Sequence, residues 1–345
     1  MKNLTGTGRA STRRPDPTTA KAAITSLVAE QLLEVDATFR ENLASPLSIV
    51  EEIGTFVADG GGKRIRPTLH LLCSRLCGYR GPHDVLLATV LEFIHCATLI
   101  HDDIIDEART RRGRPSLNST WDNSLTVLFG DYMFAKAMEM ALKANSLPVM
   151  ERLAEVTLRM TEGEMLQTRY VGRLDLSVEE YLDLIERKTA ALFACSCELA
   201  AHIAGGGDER QKALQRYGRH LGTAFQLVDD LLDLTGNAET LGKPAGSDLR
   251  EGKATLAVLD LLASGSTEAR EAAESVMGGG EDSEATASAM KRLNGMLVEA
   301  GSLDRVRDRA RFHARRAVAE LDRFDDSEAR RALLSLPDLL LTRDR

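Results

Sequence analysis

The sequence predicts an all-α protein, a single large helical bundle, and three observations carry that expectation. Apolar residues recur at helical spacing from about residue 19 to the C-terminus. No stretch alternates with period two for long, and β-branched residues do not cluster as strands require. Breakers separate the periodic stretches: GGG at 60–62, GRP at 113–115, GGG at 205–207, GKPAGS at 242–247 and GGGED at 278–282.

The first helix is marked by Ile24, Leu27, Val28, Leu32 and Val35. Further apolar-periodic stretches cover about 46–58, 67–78, 83–105, 122–144, 147–171, 177–204, 208–235, 254–264, 283–300, 302–323 and 326–342. No composition shift marks an internal boundary and no short repeat is present. The expected organisation is a disordered tail over residues 1–18 and one helical domain over 19–345. The tail is Arg- and Thr-rich and nearly free of acids, so it loosely resembles an organelle transit peptide; it has no apolar segment of a secretory signal.

With 43% hydrophobic residues in a chain of 345, a packed core is expected. A net charge of -8 argues against broad nucleic-acid binding. Cys73, Cys77, Cys96, Cys195 and Cys197 are odd in number and have apolar neighbours, which predicts buried free thiols in a reducing, cytoplasmic setting. No uninterrupted apolar run approaches the ~18 residues that cross a bilayer.

Two aspartate clusters echo each other. HDDIID at 101–106 and VDDLLD at 228–233 each sit near the end of a long apolar helix, before a basic, glycine-containing loop. Positions i and i+4 share a helical face, so Asp102 stacks with Asp106 and Asp229 with Asp233, while Asp103 and Asp230 are offset. Crowded carboxylates repel, and a hard divalent cation such as Mg²⁺ relieves that repulsion. One such cluster reads as a solvated acidic helix end; two in equivalent settings point to metal held around a diphosphate.

Basic residues stand nearby. GGGKRIRP places Lys63, Arg64 and Arg66 just before a helix, where glycine and a helix N-terminus suit an anion. Arg111 and Arg112 follow the first cluster, Lys188 lies in ERKTA, and Lys243 and Lys253 follow the second cluster. Each alone reads as surface charge. Together they predict two anion sites, one bridged by metal and one held directly, with acids and bases serving ligands rather than each other. His95, seven residues before Asp102, is either a satisfied core histidine or a phosphate donor. His101 is placed to orient Asp102, whereas His70, His202, His220 and His313 show no companions.

GGKRIRP, LIHDDIIDEARTRRGRPS, GDYMFAKA, GEMLQ, ERKTALF, YGRHLGTAFQLVDDLLDLTG and GKPAGSDLREGKATL, in that order, resemble the motifs of the trans-isoprenyl (polyprenyl) diphosphate synthases. The likeness runs from about residue 20 to the C-terminus and is nearest to bacterial long-chain, octaprenyl- and heptaprenyl-type enzymes. It implies an isoprenoid synthase-type fold around a deep central cavity, in a homodimer. It implies head-to-tail condensation of isopentenyl diphosphate with an allylic diphosphate (geranyl, farnesyl or geranylgeranyl) by ionisation, condensation and elimination. By that resemblance Asp102, Asp103, Asp106, Asp229, Asp230 and Asp233 bind Mg²⁺; Arg111, Lys188, Lys243 and Lys253 contact the allylic diphosphate. Lys63, Arg66, His95 and Arg112 hold isopentenyl diphosphate, Thr189 and Gln226 flank the developing carbocation, and Gln167 is a further contact. Product release implies peripheral membrane contact.

Product length is then a packing question. Ala97 is small where farnesyl-producing relatives tend to carry an aromatic, which favours a longer product, with Phe93, Ile94 and Met138 further down. Trp121, Asp122 and Phe129 depart from the smaller residues usual in the family, leaving pocket depth open. The competing readings are a geranylgeranyl diphosphate synthase, a class I terpene cyclase, a non-catalytic subunit and a purely structural helical protein. A cyclase needs no second diphosphate site, and a non-catalytic subunit would have lost motif residues.

Overall fold

The computed structural model describes residues 22, 24–111, 113–236, 245–279 and 283–342. Helices dominate them: α1 (Ala29–Leu43), α2 (Ser48–Asp59), α3 (Ile65–Leu76), α4 (His83–Ile105), the short α5 (Leu117–Thr120), α6 (Asn123–Leu142), α7 (Leu147–Tyr170) and α8 (Val178–Ile185). A π-helical segment, Glu186–Ala190, joins α8 to α9 (Ala191–Ile203). Then follow α10 (Gly207–Thr235), the short α11 (Ser247–Arg250), α12 (Leu256–Leu262), α13 (Thr267–Met277), α14 (Glu284–Glu299), α15 (Ser302–Glu320) and α16 (Glu328–Leu341). The only strands among the described residues are a two-residue antiparallel pair, Thr110–Arg111 with Arg114–Pro115.

Burial explains the periodicity. α4 packs along α6, and α10 packs along α9 and α15. Three apolar clusters result, one under α4, α6 and α7, one where α3 and α9 meet α10 and α16, and one under α12 to α15. α10 approaches its neighbours closely because of Gly222, where a Cβ would lie 2.7 Å from Ala190 Cα.

Two expectations change here. Helix α4 is long and apolar enough to cross a membrane, with mean hydropathy 1.5 over its most apolar window. A count of uninterrupted apolar residues stops at Glu92, but the windowed average does not. Over half of that window, 56%, is buried inside the protein, and Leu87, Leu91 and Ile94 are fully enclosed, so α4 is the core helix of the bundle. The second change is α13, absent from the periodic stretches; its buried face is made of Ala269, Ala272, Ala273 and Val276, too small a stripe to stand out.

The departures at 121–129 are structural. Asp122 caps α6 by accepting from Leu125 N, and Trp121 meets the Phe56 ring edge-on. Phe129 is buried and stacks on Tyr132.

Candidate active site

A cavity of about 660 Å³ opens between α3, α4, α7, the π segment and α10. The sequence-predicted Lys63, Arg66, His95, Asp102, Arg111, Lys188, Thr189, Gln226 and Asp229 all line it. Residues far apart in the chain therefore meet because helices α4 and α10 bring their aspartate ends to one place.

The GGGKRIRP loop is held by Arg64. Its φ of 46° is left-handed, a conformation uncommon outside glycine. Arg64 Nε donates to Asp36 Oδ1 at 2.8 Å and Nη1 to Glu92 Oε1 at 2.6 Å. Burial lowers the Arg64 pKa, but Glu92 and Asp36 outweigh it and the net shift is upward. Arg66 instead lies over the Phe193 ring, 4.9 Å from its centroid.

The first aspartate cluster closes α4, with Asp106 as its C-cap. Asp103 accepts from Arg111 Nε at 2.6 Å, Asp106 pairs with Lys253 at 2.8 Å, and Asp102 lies 3.8 Å from Lys188. The acids and bases are thus one another's partners in this structure, contrary to the sequence expectation. Asp102 and Asp103 are buried and Asp106 half-buried, and carboxylates in such a low-dielectric setting take the nearest cations as counter-charges. Burial pushes the Asp102 and Asp103 carboxyls up, opposed by Lys188 and Arg111 respectively. Burial lowers Lys253, but Asp106 and Glu251 raise it above its usual value.

The π segment presents Lys188 and Thr189 to the cavity. Such i→i+5 bulges recur at functional sites because the extra residue re-aims the side chains around it. Gly163 on α7 makes room, since a Cβ there would lie 2.8 Å from Lys188 N. Lys188 Nζ donates to Glu164 at 2.7 Å. Glu164 also lines the cavity, and burial together with the nearby Asp102 raises its pKa. Glu164 sits in the GEMLQ motif, three residues before Gln167 on the same helical face. That spacing was its signal. Gln167 is half-buried and outside the cavity lining.

In the second cluster Asp229 faces the cavity. Asp230 turns inward, accepting from Gln226 Nε2 at 2.7 Å and from the Tyr181 hydroxyl. Burial and the neighbouring Asp248 push its carboxyl up to about 8, while the Tyr181 and Gln226 hydrogen bonds favour the charged form. Asp233 accepts from Ser247 Oγ at 2.5 Å and Asp248 N at 3.1 Å, tying α10 to α11. Among the described residues no three Asp, Glu, His or Cys side chains form a ready chelate for one ion.

Several histidines differ from expectation. His101 does not orient Asp102; its Nε2 lies 3.2 Å from Val127 O and 3.5 Å from Asp131, pressed on Gly130 of α6. His220 and His313 are companions, with their Nδ1 atoms 3.1 Å apart. His70 meets Ser196 O and His202 meets Ser146. The five cysteines are free thiols, of which Cys77 and Cys96 are only partly buried. Ala97 is fully buried in the apolar cluster of Phe93 and Ile94, and Met138 packs against that same cluster. Arg112 and Lys243 lie outside the described residues.

Known proteins share the all-helical fold. The family model described as Polyprenyl synthetase matches residues 48–293. Octaprenyl diphosphate synthase of Escherichia coli (strain K12) is 38% identical over 322 residues, covering 93% of this chain and 98% of the relative. A polyprenyl synthase from Caulobacter crescentus CB15, solved with calcium and isoprenyl diphosphate, superposes with a TM-score of 0.87 at 36% identity, over 94% of this chain and 98% of that one. A decaprenyl diphosphate synthase from Rhodobacter capsulatus also gives a TM-score of 0.87 at 36% identity, over 94% and 99%. With a family model over most of its length and relatives alike in both sequence and fold, the chain belongs to the polyprenyl synthetase family.

Proposed function

We propose that this prenyltransferase joins isopentenyl diphosphate head to tail to an allylic diphosphate and extends it to a long-chain all-trans polyprenyl diphosphate. The observation that carries the reading is one cavity holding Lys63, Arg66 and His95 together with Asp102, Asp229 and Lys188. Two diphosphates need two grips, and a cyclase needs one.

Asp102 Oδ1 is buried with no hydrogen-bond partner, and the nearby oxygen donors are carboxylates, so the residues fit a hard divalent cation. Asp102, Asp106 and Asp229 would hold Mg²⁺, which when bound supplies positive charge to the departing diphosphate. Asp103, Asp230 and Asp233 belong to the same motifs; like Asp106, which meets Lys253, each has an oxygen already bonded to a protein partner.

Lys188, Arg111 and Lys253 contact the allylic diphosphate and stabilise its charge as the C–O bond breaks, with Lys243 assigned to the same group. Lys63, Arg66 and His95, with Arg112, anchor isopentenyl diphosphate so that its double bond is aimed at the cation. Thr189 and Gln226 turn oxygen atoms toward that cation. Leu99, Met160 and Phe225 line the cavity and exclude water. The released diphosphate takes the final proton.

Large apolar side chains are exposed along α6 and α7, among them Leu128, Leu142, Leu158 and Met165, and they support a homodimer. Peripheral membrane contact for product release and a cytoplasmic location complete the proposal.

Purified protein, labelled isopentenyl diphosphate, several allylic primers and Mg²⁺, followed by chromatography, test the reaction. Chain extension is expected, together with its loss in Asp102→Ala and Asp229→Ala; no extension with any primer overturns the proposal. A product ladder ending at geranylgeranyl length overturns the long-chain assignment alone. Ala97→Phe is expected to shorten the product, because the added ring swells the apolar cluster of Phe93 and Ile94 along which the chain is proposed to grow.

A further inference from the structure

Four side chains run from the cavity into the core in one hydrogen-bonded line. Thr189 Oγ1 donates to Gln226 Oε1 at 2.7 Å, and Gln226 Nε2 donates to Asp230 Oδ1 at 2.7 Å. The other Asp230 oxygen, Oδ2, accepts from the Tyr181 hydroxyl. Tyr181 stands on α8, is 2% exposed, and has no atom among those lining the cavity.

The direction of donation along this line has a consequence at the cavity. Gln226 carries two donors and one acceptor oxygen at the end of its amide, and a flip exchanges them. With its NH₂ committed to Asp230, the amide must turn Oε1 toward Thr189. Thr189 then gives its proton to Gln226, and its remaining lone pairs are what the cavity meets. Both groups therefore present their negative ends to the site where positive charge develops. The arrangement holds only while the Asp230 carboxyl group keeps Oδ1 aimed at Gln226. A carboxyl group with one anchored oxygen can rotate; one anchored at both cannot.

We propose that Tyr181 is a positioning residue for the prenyl transfer: by holding Asp230 Oδ2 it fixes the Gln226 amide, and through it the Thr189 hydroxyl, oxygen-first toward the reacting carbon. Tyr181 acts on the step in which the allylic cation forms, and it touches neither diphosphate. The proposal rests on the prenyltransferase reading, and its failure is distinguishable from failure of that reading because every comparison below is made against an active parent protein.

The test is a double-mutant cycle of Tyr181→Phe with Gln226→Leu, read in single-primer condensation with Mg²⁺. Tyr181→Phe is expected to lower kcat about tenfold or more while KM for each diphosphate stays within about twofold. Added to Gln226→Leu, it is expected to cost nothing further, because the amide that it positions is gone. A merely structural tyrosine would lower the melting temperature and multiply the losses. Full kcat in Tyr181→Phe, or losses that multiply in the double variant, overturns the proposal. Should Tyr181→Phe fail to fold, Tyr181→Met, which also removes the hydroxyl, takes its place in the cycle; the same masked loss of kcat is expected, and a multiplying loss again overturns the proposal.

Discussion

Arg64 shows how much one side chain can settle at a distance from the chemistry. Its left-handed backbone costs on the order of 1–3 kcal/mol for a non-glycine residue and persists only where the surroundings over-determine it. Here Glu92, nearly buried, and Asp36 hold both ends of its guanidinium. That grip sets the loop from which Lys63 and Arg66 reach the cavity. Arg64→Ala is expected to raise KM for isopentenyl diphosphate about tenfold with a smaller change in kcat, since it loosens binding and not the reacting centre. Steady-state kinetics with isopentenyl diphosphate varied would check this; an unchanged KM would refute it. The sequence made the basic loop legible but not which of its three cations was the peg. That depended on Asp36 and Glu92, which carry no motif and are set opposite Arg64 only by the packing of α1 and α4.

At the scale of the element, the π segment is the part that sequence reasoning read as plain helix. Periodicity over 177–204 joins α8 to α9 without a break, because α9 is buried on all sides from Ala191 to Ala201 and shows no polar stripe whose phase would mark the extra residue. Its consequence is large: Lys188 and Thr189 project from that turn, and α7 must come close enough to leave no space for a side chain at position 163. Gly163→Ala is expected to push the segment away and lower kcat, up to on the order of a hundredfold for a displacement near 1 Å. A crystal structure of the variant with Lys188 undisplaced would refute that cause. The helices themselves were legible almost residue by residue, as in α4 and α10, since long apolar stripes need a core. The exception, α13, shows the limit, because an alanine face buries little area and leaves little trace.

At the scale of the whole molecule, α10 and α15 meet through the His220–His313 contact. The groups around it are Arg216, Arg219, Arg309, Arg316 and Glu320. Burial, and then the neighbouring positive charges, lower both histidines to about 4. A base whose folded pKa lies below its unfolded value binds fewer protons when folded, so stability rises with pH between the two. The protein is expected to lose melting temperature as pH falls from about 6.5 toward 4, with partial exposure softening the effect. Thermal melts of His220→Gln/His313→Gln across that range should show a shallower pH dependence; an unchanged slope would refute it. Sequence reasoning missed this pair because its members are 93 residues apart.

If these residues hold the ligands proposed for them, the pairing of Asp103 with Arg111 and of Asp106 with Lys253 turns ligand capture into an exchange reaction. A diphosphate arriving alone must take the cations from their carboxylates and leave those carboxylates exposed to one another. A divalent ion arriving alone strands the arginine and lysine in the same way. Arriving together, each ligand receives what the other releases, and the charge ledger closes. The two affinities should therefore be reciprocal, each raised by the presence of the other to the same factor.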